Sequence, residues 1–80
     1  MNKKWIQEDD RLTREFKFGN FHEAMIFVNK GAEASEESKH HPLIEIDYNE
    51  VKLVLWTHSA GKVTAKDLNL AEKIDELIRF

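Results

Sequence analysis

Three histidines are the residues of this sequence best suited to acid–base chemistry, because an imidazole with a pKa near 6.5 both donates and accepts protons near neutral pH. His40 and His41 are adjacent and are followed by Pro42, while His58 lies further along the chain. A positioned imidazole typically accelerates a proton-transfer reaction by about 10²–10⁴-fold. The fourth histidine, His22, falls in the first turn of a predicted helix, and we expect it to be a surface residue.

Zinc binding is the alternative use of three histidines, since three imidazoles and a water form a known catalytic zinc sphere. Adjacent residues in an extended segment point to opposite sides, so His40 and His41 cannot easily bind the same ion. The sequence contains no cysteine that could supply thiolate ligands. We therefore predict a site with no metal and no cofactor.

A predicted β-hairpin brings the histidines together. Two runs alternate between apolar and polar residues, as strands with one buried face do. The apolar positions are Ile44, Ile46 and Tyr48, then Val51, Leu53 and Leu55. A two-residue turn at Asn49 and Glu50 would connect them and would set Asp47 opposite Lys52, a favourable charge pair.

In this register His41 lies opposite His58, and directly opposed residues have Cβ atoms about 5 Å apart. Both histidines share a sheet face with Trp56, which is the face left uncovered by helices. Trp56 is equally compatible with an aromatic wall for a flat ligand and with an oligomer contact. Glu36 precedes His40 by one helical turn and shares its helix face if the helix extends that far. One acid and three imidazoles are expected to converge.

An N-terminal hairpin is predicted to complete the sheet. The apolar positions of its stronger strand are Leu12, Phe16 and Phe18, which alternate with polar residues. Residues 5–7 form a weaker strand that would fold back through the acidic turn at residues 8–10. Arg14 interrupts the apolar set, and we expect it to reach the sheet edge.

Two capping boxes predict where helices begin: Asn20 with Glu23, and Thr64 with Asp67. The first helix should end near Ser38, because Pro42 disfavours helical geometry in the residue before it. The apolar stripes are Phe21, Ala24, Met25, Val28 and Ala32, then Leu70, Ala71, Ile74, Leu77 and Ile78. The order β-β-α-β-β-α predicts an α+β fold, in which a four-stranded antiparallel sheet carries both helices on one face.

The composition predicts one soluble domain over residues 1–80, with 41% hydrophobic and 34% charged residues. A chain of this length buries only about 60% of its unfolded surface, so we expect a homodimer or homotetramer. The net charge of −3 argues against direct nucleic-acid binding, and no apolar run approaches the length of a membrane span. The lack of a signal peptide and of cysteine indicates a cytoplasmic location.

The motif His40-His41-Pro42, with Glu36 before it and Thr57-His58 after it, resembles the pterin-4a-carbinolamine dehydratase family. That family includes the dimerisation cofactor of a homeodomain transcription factor. The resemblance extends over nearly the whole chain and includes the Thr64-x-x-Asp67 helix start. Two features depart from it. Ile44 stands where many members carry an aromatic residue, and the usual N-terminal helix is expected to be lacking.

The resemblance implies dehydration of a 4a-hydroxytetrahydropterin to the quinonoid dihydropterin, which recycles the cofactor of aromatic amino-acid hydroxylases. It implies His40 and His58 as the acid/base pair, with His41 orienting the substrate as the third active-site histidine. The pterin-binding residues would be Glu36, His41, Trp56, Thr57 and Asp67, although the capping box is the favoured explanation of Asp67. The alternative function is a non-catalytic dimerisation or protein-interaction module on the same fold.

Overall fold

The predicted order of elements is confirmed by a computed structural model, which describes residues 4–78 of the chain. The elements are β1 (Ile6–Glu8), β2 (Arg11–Lys17), α1 (Phe21–Ser38), β3 (Leu43–Asp47), β4 (Glu50–Leu55) and α2 (Ala65–Leu77). The strands form one antiparallel sheet in the order β1-β2-β4-β3. Within residues 4–78, no helix precedes β1, and neither helix is long and apolar enough to cross a bilayer.

The core lies between the sheet and the two helices. Alternate residues of β2 and β4 point to one face, and this face is buried against one stripe of each helix. The largest fully buried apolar side chains are Leu12, Val51, Leu55, Leu70 and Ile74. The predicted stripe of α2 is confirmed, since Leu70, Ala71 and Ile74 are buried and the last two positions pack partly against the core.

The buried face of α1 differs from the predicted stripe. Its buried residues are Ala24, Phe27, Gly31, Ala34 and Ser35. Phe21, which was assigned to the stripe, is 50% exposed. The cause is aromatic packing: the ring of Phe27 lies 4.7 Å from that of Phe16 and 5.1 Å from that of Phe18. This cluster sets the rotation of the helix about its axis.

Both predicted helix starts are confirmed. The side chain of Asn20 accepts a hydrogen bond from the backbone N–H of Glu23 at 2.8 Å. The carboxylate of Glu23 accepts from the N–H of Gly19 rather than from that of the cap residue. Thr64 and Asp67 form the complete reciprocal capping box of α2. These capping side chains therefore determine the residue at which each helix begins.

Arg14 does not reach the sheet edge, because it is buried on the helix side of the sheet. Its Nη1 donates to a carboxylate oxygen of Asp75 at 2.6 Å, and the same oxygen accepts from the indole N–H of Trp5 at 2.8 Å. The guanidinium also lies 4.6 Å from the ring centroid of Phe16. Burial of this charge is possible because the carboxylate compensates it.

The turn of the second hairpin lies at Tyr48 and Asn49, one position earlier than predicted. Tyr48 has a φ of 52°, which is a left-handed conformation, whereas the predicted turn began at Asn49. The observed pairs are Leu43 with Val54, Ile44 with Leu53, Glu45 with Lys52, Ile46 with Val51 and Asp47 with Glu50. The predicted pairing of Asp47 with Lys52 is therefore wrong.

The predicted pairing of His41 with His58 is wrong for the same reason. The ladder between β3 and β4 runs from the pair Leu43–Val54 to the pair Asp47–Glu50, so neither histidine takes part in it. The observed cross-strand partner of each residue of β3 lies two positions earlier in β4 than predicted. Because side chains alternate between the faces of a sheet, a shift of two positions leaves every side chain on its predicted face. The histidines and Trp56 are consequently still brought to one end of the sheet.

Candidate active site

A cavity of about 490 Å³ lies where the chain enters β3 and leaves β4. Its lining residues are Lys39, His40, His41, Pro42, Leu43, Trp56, Thr57, His58, Ser59 and Lys66. All three predicted histidines thus border one space, together with Trp56 and Thr57. Two of the predicted site residues, Glu36 and Asp67, lie outside this lining.

His40 is held by Asp67. Its Nε2 forms a hydrogen bond with an oxygen of the Asp67 carboxylate. The side chain of His40 is 11% exposed and that of Asp67 is fully buried. The backbone N–H of His40 also donates to the carbonyl of Ser35 at 3.1 Å, just beyond the end of α1. Both the main chain and the ring of His40 are therefore fixed before any substrate binds.

The second oxygen of Asp67 is occupied by other donors. It accepts from the Thr57 hydroxyl at 2.9 Å and from the backbone N–H of Thr64 at 2.8 Å. The Thr57 hydroxyl lies 2.6 Å from that of Thr64, which accepts in turn from the N–H of Lys66. Because a carboxylate can only accept, Thr57 must donate to Asp67 and accept from Thr64.

This network explains the ionisation of Asp67. Burial alone raises the pKa of a carboxyl, since it disfavours the charged form. Hydrogen bonds from His40, Thr64 and Thr57, together with the charge of His40, outweigh that effect and hold the pKa of Asp67 below its ordinary value. Asp67 is therefore a carboxylate at neutral pH.

An ionised Asp67 determines the tautomer of His40. The Nε2 atom must carry the proton that it donates to the carboxylate, which leaves Nδ1 as the ring nitrogen available to exchange a proton with a ligand. The same logic orients the histidine of a Ser-His-Asp triad. Full burial of Asp67 does not fit the predicted contact with a pterin, and its geometry indicates action through His40.

Thr57 also lacks free polar groups for a ligand. Its hydroxyl is used in the Asp67 network, and its N–H donates to the carbonyl of Lys62 at 2.9 Å. Its carbonyl accepts from the N–H groups of Ala60 and Gly61. We therefore assign Thr57 to the support of the site, although it borders the cavity.

His41 and Glu36 form an exposed pair on the outer side of the cavity. His41 Nε2 lies 3.4 Å from a carboxylate oxygen of Glu36, and the two side chains are 73% and 79% exposed. Glu36 was predicted to share a helix face with His40, but α1 ends at Ser38 and the structure places Glu36 beside His41 instead. Exposed pairs of this kind contribute little stability, so both side chains are free to turn toward a ligand.

Trp56 stacks on His58. The ring centroids lie 4.4 Å apart with an interplanar angle of 18°, and the guanidinium of Arg11 lies 4.1 Å from the centroid of the Trp56 ring. The sequence grouped Trp56 with the histidines but overlooked Arg11. The sequence carries no local signal for Arg11, because its place opposite Trp56 follows from the observed pairing of Leu12 with Leu55, extended by one residue.

The lining of the cavity is basic. Lys39 and Lys66 join the three histidines, and no carboxylate borders the cavity in the described part of the chain. The basic side chains that could exchange a proton with a ligand there are imidazoles and amines. Residues 4–78 contain no cluster of three or more His, Cys, Asp or Glu side chains arranged to hold a metal ion.

A larger concavity of about 670 Å³ lies at the other end of the sheet. It is lined by charged residues near the β3–β4 turn: Glu15, Lys17, Glu45, Asp47, Glu50 and Lys52. Lys52 lies opposite both Glu15 and Glu45 in the sheet register, and four carboxylates face two ammonium groups in this lining, which leaves it acidic. Among the described residues, neither a histidine nor a hydroxyl group borders it, so the smaller cavity is the candidate active site.

Comparison with known proteins shows the family to which the chain is related. The family model described as pterin 4 alpha carbinolamine dehydratase matches residues 1–77. A protein of Thermomicrobium roseum that is named after the same family is 52% identical over 73 residues, which are 91% of this chain and 78% of the relative.

Two solved structures share the fold. The crystal structure of a transcriptional coactivator/pterin dehydratase from Brucella melitensis superposes with a TM-score of 0.87 at 36% identity, covering 92% of this chain and 81% of that one. A pterin dehydratase-like protein described as a RuBisCO assembly factor in the alpha-carboxysome has a TM-score of 0.77 at 22% identity, covering 94% and 87%. The second likeness concerns the fold alone.

Proposed function

The chain belongs to the pterin-4a-carbinolamine dehydratase family, and we propose that it removes water from a 4a-hydroxytetrahydropterin to give the quinonoid dihydropterin. The observation that carries this proposal is the basic cavity bordered by His40, His41 and His58, with one imidazole oriented by the buried carboxylate of Asp67. The product would be reduced again for use by aromatic amino-acid hydroxylases. We place this activity in the cytoplasm, which suits a chain without cysteine.

The reaction needs one proton donor and one proton acceptor. The donor protonates the C4a hydroxyl, the C4a–O bond breaks as water leaves, and the N5 lone pair forms the new N5=C4a bond. The proton on N5 passes to the acceptor. Gain and loss of protons balance, so the reaction requires no co-reactant, and two imidazoles near neutral pH can exchange these roles between turnovers.

His40 and His58 are proposed to supply these two functions. His40 is oriented through Nε2, so Nδ1 would exchange the proton, and the charge of Asp67 stabilises the imidazolium that forms when His40 accepts one. His58 borders the cavity from the loop after β4. His41, which is exposed and paired loosely with Glu36, is proposed to orient the pterin, and Glu36 to adjust the position of His41.

A stopped-flow assay tests the proposal. The 4a-hydroxytetrahydropterin is generated in the reaction mixture, and its loss is followed by absorbance with and without the protein. We expect the first-order loss to accelerate in proportion to protein concentration. An unchanged rate at stoichiometric protein would contradict the proposal and would favour the alternative, a non-catalytic interaction module on the same fold.

A further inference from the structure

Arg11 lies outside the histidine cluster but is connected to it. Its guanidinium carbon lies 4.1 Å from the ring centroid of Trp56, within the range in which a cation is attracted to the face of an indole. The Nη1 atom donates to the backbone carbonyl of Asp10 at 3.1 Å, in the turn between β1 and β2. A tight turn and a strand therefore fix the position of this cation relative to the sheet.

Trp56 contacts both Arg11 and His58. The imidazole stacks on the indole at 4.4 Å and 18°. Among the described residues, no side-chain hydrogen bond or ion pair holds His58, whereas His40 is held by Asp67. His58 is exposed in the loop after β4. The stack with Trp56 is thus the contact that selects one orientation of its ring.

We propose that Arg11 is a positioning residue for His58 and acts through Trp56. This inference rests on the proposed function, in which His58 is one member of the acid/base pair. The cation holds the indole plane, and the indole plane holds the imidazole plane. Proton transfer is sensitive to placement of the donor by fractions of an ångström, so a mobile His58 would transfer protons less often.

The same geometry changes the role predicted for Trp56. The Arg11 guanidinium at 4.1 Å and the His58 ring at 4.4 Å both occupy indole surface on which a pterin would otherwise stack. Trp56 is half-buried at the end of β4 and borders the cavity. It supports His58 in place of forming an open aromatic wall.

Three single variants separate this role from a general effect of charge. Arg11→Gln removes the cation, Arg11→Lys retains one, and Lys17→Gln removes a cation from the far end of the same strand. We expect Arg11→Gln to lower kcat about two- to fivefold with KM changed by less than twofold. Arg11→Lys should recover at least half of the lost kcat, and Lys17→Gln should match the wild type.

A double-mutant cycle tests whether the effect passes through Trp56. In a Trp56→Leu background, Arg11→Gln should have no further effect on kcat, because the connecting ring is already absent. An equal loss of kcat in both backgrounds would overturn the proposed route.

Nuclear magnetic resonance gives a readout that needs no activity. Stacking on an indole shifts the ring protons of His58 upfield, and Arg11→Gln should move them toward the values of an exposed histidine, with His22 as the internal control. Unchanged His58 shifts would overturn the inference. If the shifts move as expected but the wild type has no dehydratase activity, the proposed function fails while the positioning of His58 by Arg11 stands.

Discussion

His40 and Asp67 act as one unit, because the carboxylate fixes both the tautomer and the orientation of the ring. Asp67 is fully buried, and its two oxygens accept from three residues: His40, Thr57 and Thr64. The side chain that caps α2 is therefore the one that orients His40. The helix start and the candidate active site share one residue, so a change there should affect stability and activity together.

Asp67→Asn should lower the free energy of unfolding at neutral pH by about 3 kcal/mol, since it removes a buried charge that three donors require. The pKa of Asp67 lies below its ordinary value in the folded protein. The stabilisation that the Asp67 carboxylate provides is thus fully present above the pKa of about 3.9 that an aspartate has in the unfolded chain. It is lost as the pH falls through the lower pKa that Asp67 has in the folded protein. Urea unfolding of both proteins at a series of pH values checks this. A stability difference that stays constant down to the most acid pH would refute the assignment.

The roles of the histidines are separable by kinetics. His40→Ala and His58→Ala should each lower kcat by about 10²-fold or more, because each removes a proton transfer made in the transition state. His41→Ala should instead raise KM or the inhibition constant of a dihydropterin. The double variant of His40 and His58 should approach the uncatalysed rate in the stopped-flow assay. Near-native turnover in that variant would show that these imidazoles do not carry the protons, and His22→Ala serves as the control for an unrelated histidine.

Among the elements, local features were predictable and long-range ones were not. The helix starts followed from capping side chains within three residues of each other, and the strands followed from alternation. The ion pair of Arg14 with Asp75 joins residues from opposite ends of the chain. No local pattern marks such a partner, so Arg14 was assigned to the sheet edge.

The hairpin shows why an error in register did little harm to the site. Asn49 suggested the turn, but the left-handed residue is Tyr48. The shift of each cross-strand partner by two positions left every side chain on its predicted sheet face. The histidines and Trp56 therefore still border one cavity. The burial of Asp67 and the exposure of His41 were not predictable, because both depend on tertiary packing.

Tyr48→Gly tests the turn conformation. A left-handed φ costs an L-residue about 1–2 kcal/mol, and glycine removes that cost while losing more backbone entropy on folding. Tyr48 is 63% exposed, so its ring contributes little to packing. We expect Tyr48→Gly to be about 1 kcal/mol more stable than the matched control Tyr48→Ala in urea unfolding. Equal stability of the two variants would mean that position 48 does not adopt a left-handed conformation in solution.

At the scale of the whole molecule, a small core and an open sheet favour self-association. β3 is an edge strand, and β1 forms the other edge with only three residues. β3 carries the partly exposed apolar side chains Leu43 and Ile46, which are 46% and 40% exposed. An apolar edge strand of this kind is a template for pairing with another chain.

We therefore predict at least a homodimer in solution, formed by pairing of two β3 edges across a two-fold axis. Light scattering coupled to size-exclusion chromatography at micromolar concentration should give at least twice the chain mass of 9.4 kDa. Ile46→Lys places a charge on this edge away from the histidines, and it should shift the protein toward monomer. Ile26→Lys is the matched control, because Ile26 is a similarly exposed isoleucine, 44% exposed, on α1.

A wild type that elutes as a monomer would contradict the prediction. An oligomer broken by Ile26→Lys but not by Ile46→Lys would place the interface on the helices instead of the sheet edge.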